Sequence, residues 1–402
     1  MESIKELFRI GHGPSSSHTM GPRRAAALFK GEHPDAPCYR VTLYGSLAAT
    51  GRGHMTDSAI LSELAPAEVE IVWRPEVELP EHPNGMELEA LQSSGDCFAS
   101  WKVYSTGGGA IQIEGKPEKK REVYPLSLMR TILKECTQSG KTLWEYVEAC
   151  EGVEIWDYLA EVNTVMHQAI ERGIHGEGVL PGGLGLPRRA WTTHRKIRLN
   201  AGQLSRVGYM PAYALAVAEE NAMGGVIVTA PTCGSSGVLP AVIRFIEDSL
   251  ETSTIHILRA LATAGLVGNL IKYNASISGA QVGCQGEIGA ACAMAAAAAT
   301  QLMGGSIRQV EYAAEMGLEH HLGLTCDPVN GLVQIPCIER NVFAATRALD
   351  CANFAIYSDG SHRVAFDDVT RVMNETGNDL PSLYRETAEG GLALAYRFPP
   401  QK

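Results

Sequence analysis

The stretch GCQGEIGAACAMAAAAATQLM, residues 283–303, joins a glycine-rich turn that carries Cys284 to a run of alanines. Alanine has the highest intrinsic helix propensity, and its small side chain lets neighbouring backbones approach closely. The run therefore predicts a central, tightly packed helix over residues 287–303. Cys284 lies near the start of that helix, where the helix dipole lowers the pKa of a thiol and favours a metal-ligand role.

Two more cysteines follow in short, turn-like settings. Cys326 lies within TCDP, residues 325–328, and Cys337 within PCIER, residues 336–340. No pair of the three has the close spacing of a zinc knuckle or of a redox C-x-x-C motif. These thiols can act together only if the fold brings them together, and their spacing alone does not distinguish a metal site from packed core cysteines.

The hydrophobic pattern differs between the two ends of the chain. Strands are predicted at residues 39–47, 69–72, 99–103 and 110–113, with short helices at 23–29 and 57–64. Further helices are predicted at 127–138, 142–150, 155–172, 205–222, 238–248, 255–271, 307–318 and 338–352. The charged, proline-containing residues 115–125 are typical of an exposed linker. We therefore expect an α+β fold, with a small N-terminal α/β domain at residues 1–118 and a larger, mostly all-α domain at residues 126–402.

Composition narrows the class of protein. The chain has 402 residues, of which 45% are hydrophobic and 20% charged, as in ordinary soluble globular proteins. A net charge of −11 argues against nucleic acid or an anionic membrane as a partner, because both attract clustered lysine and arginine. The first residues lack the basic start and apolar run of a secretory signal. Ten cysteines without such a signal indicate reduced thiols or metal ligands, and hence a cytoplasmic location.

A serine-rich motif, GPSSSHT at residues 13–19, precedes the helix predicted at 23–29. Glycines and hydroxyl side chains before a helix let backbone amides and hydroxyl groups converge on an anion. A plain serine-rich helix cap fits the same residues. The same two interpretations apply to APTCGSSG at residues 230–237, which comes before the helix predicted at 238–248.

Together these motifs resemble those of the iron-sulfur-dependent L-serine ammonia-lyases, also called L-serine dehydratases or deaminases. The similarity rests on GPSSSHT at 13–19, GRGH at 51–54, HPNGM at 82–86, GGG at 107–109, APT at 230–232, GCQGE at 283–287, LTCDP at 324–328 and PCIERN at 336–341. The motifs follow the family's order over nearly the whole chain. The resemblance implies a small α/β domain joined to an all-helical catalytic domain, in a homodimer that acts on a small amino acid.

The resemblance further implies a four-iron four-sulfur cluster held by Cys284, Cys326 and Cys337. The fourth iron would then have no protein thiol, and an open metal position can bind substrate and act as a Lewis acid. Family members commonly carry a tail cysteine that can occupy this iron, whereas residues 397–402, RFPPQK, contain none. Cys233 could supply a fourth thiol, although a buried structural role suits it better.

For catalysis, the resemblance points to two histidines of the small domain. We expect His54 to be the base that removes the Cα proton and His18 to bind the substrate, although a neutral imidazole at either position could accept a proton near physiological pH. The candidates for binding the substrate carboxylate are Ser15, Ser16, Ser17 and Thr19.

The implied reaction is elimination of water from L-serine, which gives pyruvate and ammonia. L-threonine, or L-cysteine with a thiol as leaving group, would suit the same chemistry. Pyridoxal phosphate enzymes also deaminate serine, but they need a Schiff-base lysine. Lys272 lacks the phosphate-binding glycine run expected beside such a lysine, so we expect no pyridoxal phosphate. A non-enzymatic iron-sulfur or amino-acid sensor is a further alternative, weakened by the absence of a basic DNA-reading region.

Overall fold

The computed structural model describes residues 1–116, 121–199 and 203–396. Residues 117–120 of the predicted linker and the tail at 397–402 therefore lie outside the described residues. The strands are β1 (Ile10–His12), β2 (Cys38–Tyr44), β3 (Glu68–Arg74), β4 (Gly85–Leu91), β5 (Cys97–Gly107), β6 (Ala110–Ile113) and β7 (Val226–Val228). Five of them form one sheet in the order β3-β2-β4-β5-β6, in which β2 and β3 are parallel and the other neighbours antiparallel.

Helices make up most of the chain after the sheet. They are α1 (Gly21–Glu32), α2 (Gly45–Thr50), α3 (Thr56–Leu64), α4 (Met129–Ser139), α5 (Leu143–Glu151), α6 (Ile155–His175), α7 (Ala190–Leu199), α8 (Gln203–Ala222), α9 (Val238–Leu250), α10 (Thr254–Asn274), α11 (Gly279–Val282), α12 (Ala290–Leu302), α13 (Ile307–Glu319), α14 (Cys337–Ile356), α15 (Phe366–Asp379) and α16 (Gly391–Ala395). The predicted helices are confirmed, with ends that differ by up to four residues. The predicted α+β class is confirmed as well.

The sheet packs its apolar face against α1. Val41 and Leu43 alternate along β2 and are fully buried, as is Val103 of β5. Phe29 of α1 packs edge-on against Trp101 of β5, with ring centroids 5.1 Å apart. The small sheet region thus has its own apolar core.

The sequence prediction missed β4 and misplaced the end of β2. Met86, Leu88 and Ala90 alternate along β4 and are fully buried, but glutamate and alanine are disfavoured in strands, which weakened this signal. The strand predicted over residues 39–47 ends at Tyr44, because Gly45 has a φ of 48° and turns the chain into α2. Helices α2, α7, α11, α15 and α16 and the short strands β1 and β7 were also not predicted.

Helix α12 is central to the helical part, as the alanine run predicted. Residues 290–300 are all buried, and the helix packs against α9, α10, α13 and α14. By its length and composition alone, helix α10 could cross a membrane. However, 78% of its most apolar 18-residue stretch is buried inside the protein. It is a core helix, as expected from residues 255–271.

The first twelve residues pack mainly with the helical part, although Arg9 Nη1 donates to Gly108 O, in the turn between β5 and β6, at 2.6 Å. Ile4, Leu7 and Phe8 are fully buried in the core that includes α10 and α12. Strand β1 pairs with β7 in antiparallel register, with Ile10 opposite Val228. This pairing holds the serine-rich loop after β1 next to the loop after β7. The division into domains at residues 118 and 126 stays a prediction.

Candidate active site

Six separate parts of the chain meet at one cavity. It is lined by Pro14, Ser15, Ser16, His54, Gly234, Cys284, Glu287, Cys326, Pro328, Val333, Cys337 and Glu386. The three predicted cysteine ligands, two of the predicted serines and one of the predicted histidines therefore face the same space. The roles predicted for these residues stay predictions, but the fold does bring them together.

Hydrogen bonds fix the position of the serine-rich loop beside the cavity. Asn221 Nδ2 donates a hydrogen bond to Pro14 O at 2.9 Å. Ser15 precedes a π-helical turn over Ser16–Met20, and its Oγ accepts from His18 N at 3.1 Å. Ser15 and Ser16 are thereby held at the cavity wall.

Ser17, His18 and Thr19 lie behind that wall and do not line the cavity. Both ring nitrogens of the buried His18 have partners: Nδ1 lies 2.9 Å from Ser17 Oγ and Nε2 lies 3.0 Å from Ser46 Oγ. Burial, together with His54, holds the pKa of His18 well below its usual value. Thr19 Oγ1 donates to His54 O at 2.6 Å. These contacts tie the serine-rich loop to α2 and to the turn that carries His54.

His54 is the imidazole that faces the cavity. Its Nδ1 lies 3.2 Å from Thr50 Oγ1, and that hydroxyl donates its own proton to Ser46 O at 3.0 Å. Thr50 Oγ1 must therefore accept, so Nδ1 carries the ring proton and Nε2 has a lone pair. Among the described residues, the buried Nε2 has no hydrogen-bond partner. Burial lowers the pKa of His54 to about 4, so the ring is neutral at physiological pH.

The three cysteines reach the cavity from two helix starts and one loop. Cys284 precedes a π-helical turn, Gln285–Gly289, that continues into α12, and Cys337 is the first residue of α14. Cys326 lies in a loop, where its N–H donates to Tyr384 O at 2.8 Å. All three are free thiols.

The thiol of Cys284 is more acidic than an ordinary cysteine. A hydrogen bond with the Cys326 thiol, aided by the Arg340 guanidinium, lowers the pKa of Cys284 to about 6 against the effect of burial. The same hydrogen bond raises the pKa of Cys326, and burial raises the pKa of Cys337. Arg340 Nη1 donates to Thr325 O at 2.7 Å, which holds the guanidinium at the site. The pKa of Cys284 is lowered as predicted, with a neighbouring thiol as the largest cause and the Ile288 amide, at the helix start, as a smaller one.

Two carboxylates at the cavity were not among the predicted site residues. The first is Glu287, whose Oε1 accepts from Thr232 Oγ1 at 2.9 Å and whose Oε2 lies 3.8 Å from Cys326 Sγ. Gly279 makes room for this contact, since a Cβ there would lie 2.9 Å from Glu287 Oε2. The signal for Glu287 was present in the sequence, because it follows Cys284 within the GCQGE motif.

The second carboxylate, Glu386, comes from the C-terminal part of the chain. Its N–H donates to Cys326 O at 2.7 Å, and burial raises the pKa of its carboxyl to about 7. The surrounding residues 385–387, RET, carry no recognisable signal. Its place at the cavity depends on pairing with a loop far away in the sequence.

Two residues with alternative interpretations from the sequence lie elsewhere. Cys233 Sγ is 3.7 Å from Met20 Sδ and is not at the cavity wall, and burial raises the pKa of its thiol. Lys272 Nζ pairs with Glu2 Oε2 at 3.0 Å and lines a different cavity.

The donor set suits an iron-sulfur group. Iron-sulfur clusters are held by cysteine thiolates, and three free thiols facing one space provide such soft donors. In the described part of the chain, no three histidine, cysteine, aspartate or glutamate side chains converge to hold a single metal ion.

Comparison with known proteins identifies the family. Residues 118–393 match the family model described as serine dehydratase alpha chain, and residues 3–72 and 63–116 match the serine dehydratase beta chain. The chain is 42% identical to an L-serine dehydratase of Streptomyces coelicolor and 41% identical to L-serine dehydratase 1 of Escherichia coli. These alignments cover 98% of this chain and 98% and 99% of the two relatives. The chain therefore belongs to the serine dehydratase family, with parts that match both chain types in one polypeptide.

Proposed function

We propose that this chain is a lyase that eliminates water from L-serine, giving pyruvate and ammonia, with a four-iron four-sulfur cluster held by Cys284, Cys326 and Cys337. One observation carries the proposal: the unpartnered Nε2 of His54 belongs to a residue that lines the same cavity as the three free thiols. A base and a metal site are the two parts that this elimination needs. The name L-serine dehydratase, carried by the relatives, supports the choice of substrate.

The cluster would supply the chemistry that side chains lack. Bound through three thiolates, it would leave one iron open, and an open iron would supply Lewis acidity toward a hydroxyl group that otherwise leaves poorly. Arg340 stands beside Cys284, and its positive charge offsets part of the thiolate charge. No net oxidation or reduction of serine is involved.

His54 is the proposed base. The Cα proton of serine is weakly acidic, so a base must be positioned against it with a free lone pair. The hydrogen bond from Nδ1 to Thr50 Oγ1 holds the ring and leaves that lone pair on Nε2. Burial keeps the ring neutral and therefore able to accept a proton. The nearby thiolates and carboxylates would offset the charge of the imidazolium that forms.

Ser15 and Ser16 are the proposed hydroxyl groups for the substrate carboxylate, because they are the serines of the motif that line the cavity. Ser17, His18 and Thr19 would act as positioning residues. Their hydrogen bonds hold the loop with Ser15 and the turn with His54 in place, as described above. His18 thus has a supporting role in this proposal and does not bind the substrate directly.

In the elimination, the Cα–H bond breaks and its proton moves to His54 Nε2. The electron pair forms the Cα=Cβ double bond while the Cβ–O bond breaks, and the departing hydroxide takes up a proton and becomes water. The resulting aminoacrylate tautomerises to an imine. Water hydrolyses the imine to pyruvate and ammonia.

Anaerobic purification tests the cofactor and the reaction together. We expect about four iron and four sulfide per chain and formation of pyruvate from L-serine. Cys337→Ser should lose the cluster and the activity, and Cys136→Ser, at a buried cysteine outside the cavity, is the matched control that should lose neither. His54→Ala should keep the iron and lose turnover. Iron-free protein with full activity would rule out the cluster mechanism.

L-threonine and L-cysteine are the alternative substrates, and a panel of kcat/KM values for the three amino acids with the anaerobic enzyme distinguishes them. A chain that binds a cluster and an amino acid but forms no product from any of the three would instead support the sensor. The homodimer and the cytoplasmic location stay predictions.

A further inference from the structure

The C-terminal segment at residues 382–395 is fastened along the Cys326 loop. Cys326 makes two backbone hydrogen bonds with it: its N–H donates to Tyr384 O at 2.8 Å, and its C=O accepts from Glu386 N at 2.7 Å. Farther on, Asp327 Oδ2 accepts from Leu392 N at 2.6 Å. The segment therefore forms part of the cavity wall.

Between these attachments the chain directs Glu386 to the cavity. The φ angle of Glu386 is 59°, in the left-handed region that residues other than glycine rarely adopt. The residue is 8% exposed and lines the same space as Cys284 and His54. Uncommon backbone conformations of this kind cluster at functional sites, where the surrounding structure maintains them.

The Glu386 carboxylate has no cationic partner within the described ranges. The arginine at the site, Arg340, donates to Thr325 O at 2.7 Å and lies 3.8 Å from Asp327 Oδ1. A buried carboxylate is unfavourable unless its charge is matched. A cation that arrives with the ligand would supply the match.

Glu287, the other carboxylate of the cavity, is already engaged. Its Oε1 accepts from Thr232 Oγ1 at 2.9 Å, and its Oε2 faces Cys326 Sγ at 3.8 Å. The Glu386 carboxyl meets one backbone amide, that of Ala280, and is therefore the carboxylate with more capacity left for a ligand.

We propose that Glu386 binds the α-ammonium group of the amino-acid substrate and so selects 2-amino acids over 2-hydroxy acids. This inference rests on the proposed function. An amino acid carries a carboxylate and an ammonium group on the same Cα, and the cavity offers Ser15 and Ser16 to the first and Glu386 to the second. Holding both groups fixes the orientation of the Cα–H bond toward the base.

The test compares L-alanine with L-lactate, which differ only in the ammonium or hydroxyl group at Cα and have no β-hydroxyl to lose. Binding of each to the anaerobic holoenzyme is measured by calorimetry for the wild type, E386Q and E389Q. Glu389 is exposed on the same segment, so E389Q is the matched control and should change neither affinity. We expect E386Q to weaken L-alanine binding by about 10- to 100-fold, as for loss of a charged hydrogen bond, and to leave L-lactate binding nearly unchanged.

If E386Q weakens the binding of both ligands equally, the inference is overturned, because a purely structural role of Glu386 predicts that result. Unchanged L-alanine binding would overturn it too. Iron per chain is measured first. If E386Q holds no iron, Glu386→Asp takes its place and should weaken the binding of L-alanine more than the binding of L-lactate. Equal effects on the two ligands would again count against the inference. Wild-type enzyme that binds L-alanine more tightly than L-lactate but makes no pyruvate from L-serine would contradict the proposed function and not the role inferred for Glu386.

Discussion

A Cβ atom at Gly279 would lie 3.0 Å from Cys326 Sγ, so the absence of a side chain at position 279 is what lets this thiol sit beside Glu287. We expect Gly279→Ala to displace Cys326 or Glu287, and therefore to lower both the iron bound per chain and the rate of pyruvate formation. The free energy of unfolding should fall by only about 1–3 kcal/mol, as for a modest overpacking.

Iron analysis of the anaerobic protein and urea unfolding of the iron-free protein measure these two effects. Gly31→Ala is the control, because a Cβ at Gly31 meets no atom within 4 Å. A Gly279→Ala variant with full iron and full activity would show that the thiol does not need this space.

Thr50 is expected to set the tautomer of His54. Thr50→Val removes the hydroxyl that accepts from Nδ1, so part of the imidazole would carry its proton on Nε2 and lose the lone pair that faces the cavity. We expect kcat to fall, by less than the roughly 100- to 10,000-fold that loss of a general base causes, while KM changes little. Thr50→Ser keeps the hydroxyl and should restore kcat.

Nitrogen NMR of the His54 ring provides a readout that is independent of turnover. The wild type and Thr50→Ser should show the proton on Nδ1, and Thr50→Val a mixture of tautomers. If Thr50→Val has the wild-type tautomer and the wild-type kcat, Thr50 does not position the base.

Acid should destabilise the fold through His54. Its pKa is 6.5 in the unfolded chain and about 4 in the folded protein. Between these values the unfolded chain binds more protons, so stability is present above pH 6.5 and is lost as the pH falls toward 4. One fully buried group of this kind contributes about 2 kcal/mol between pH 7 and pH 5.

Urea unfolding of the iron-free wild type and of His54→Gln at pH 7 and pH 5 isolates this contribution. The wild type should lose about 2 kcal/mol more than the variant over this interval. Equal losses would mean that His54 titrates normally in the folded protein and is not buried as the structure has it.

Sequence patterns predicted the parts of the site that lie within one element, and missed those that depend on contacts across the chain. The start of α9 was predicted at the observed residue, Val238, because its apolar periodicity is local. Ser15 and His54 were identified through their motifs, and the fold brings both to the thiols. Glu386 was missed because only its backbone pairing with Cys326 places it there.

The place of His18 was also beyond sequence reasoning. Its motif marks it for the site, yet both ring nitrogens meet serine hydroxyls, from Ser17 beside it and Ser46 on α2. The second contact depends on how α2 packs against the serine-rich loop, which no local pattern encodes. The sequence could therefore identify the histidine pair but not which member faces the cavity.

The close approach of α12 and α13 gives the last prediction. A Cβ at Gly317 would lie 2.9 Å from Ala293 Cα and 3.0 Å from Ala293 N. These are backbone atoms of a buried helix, which cannot move aside as a flexible side chain would. We expect Gly317→Ala to force the two helices apart and to lower the free energy of unfolding by about 1–3 kcal/mol.

Gly31→Ala makes the same chemical change in α1, where the added methyl group meets open space. It should leave stability unchanged or raise it by about 0.4–1 kcal/mol through the lower entropy of the unfolded chain. Urea midpoints of the two variants and the wild type, measured on iron-free protein, separate close packing from the general effect of replacing glycine in a helix. If Gly317→Ala unfolds at the wild-type midpoint, α12 and α13 are not in backbone contact, and the alanine run does not bring the helices together as proposed from its small side chains.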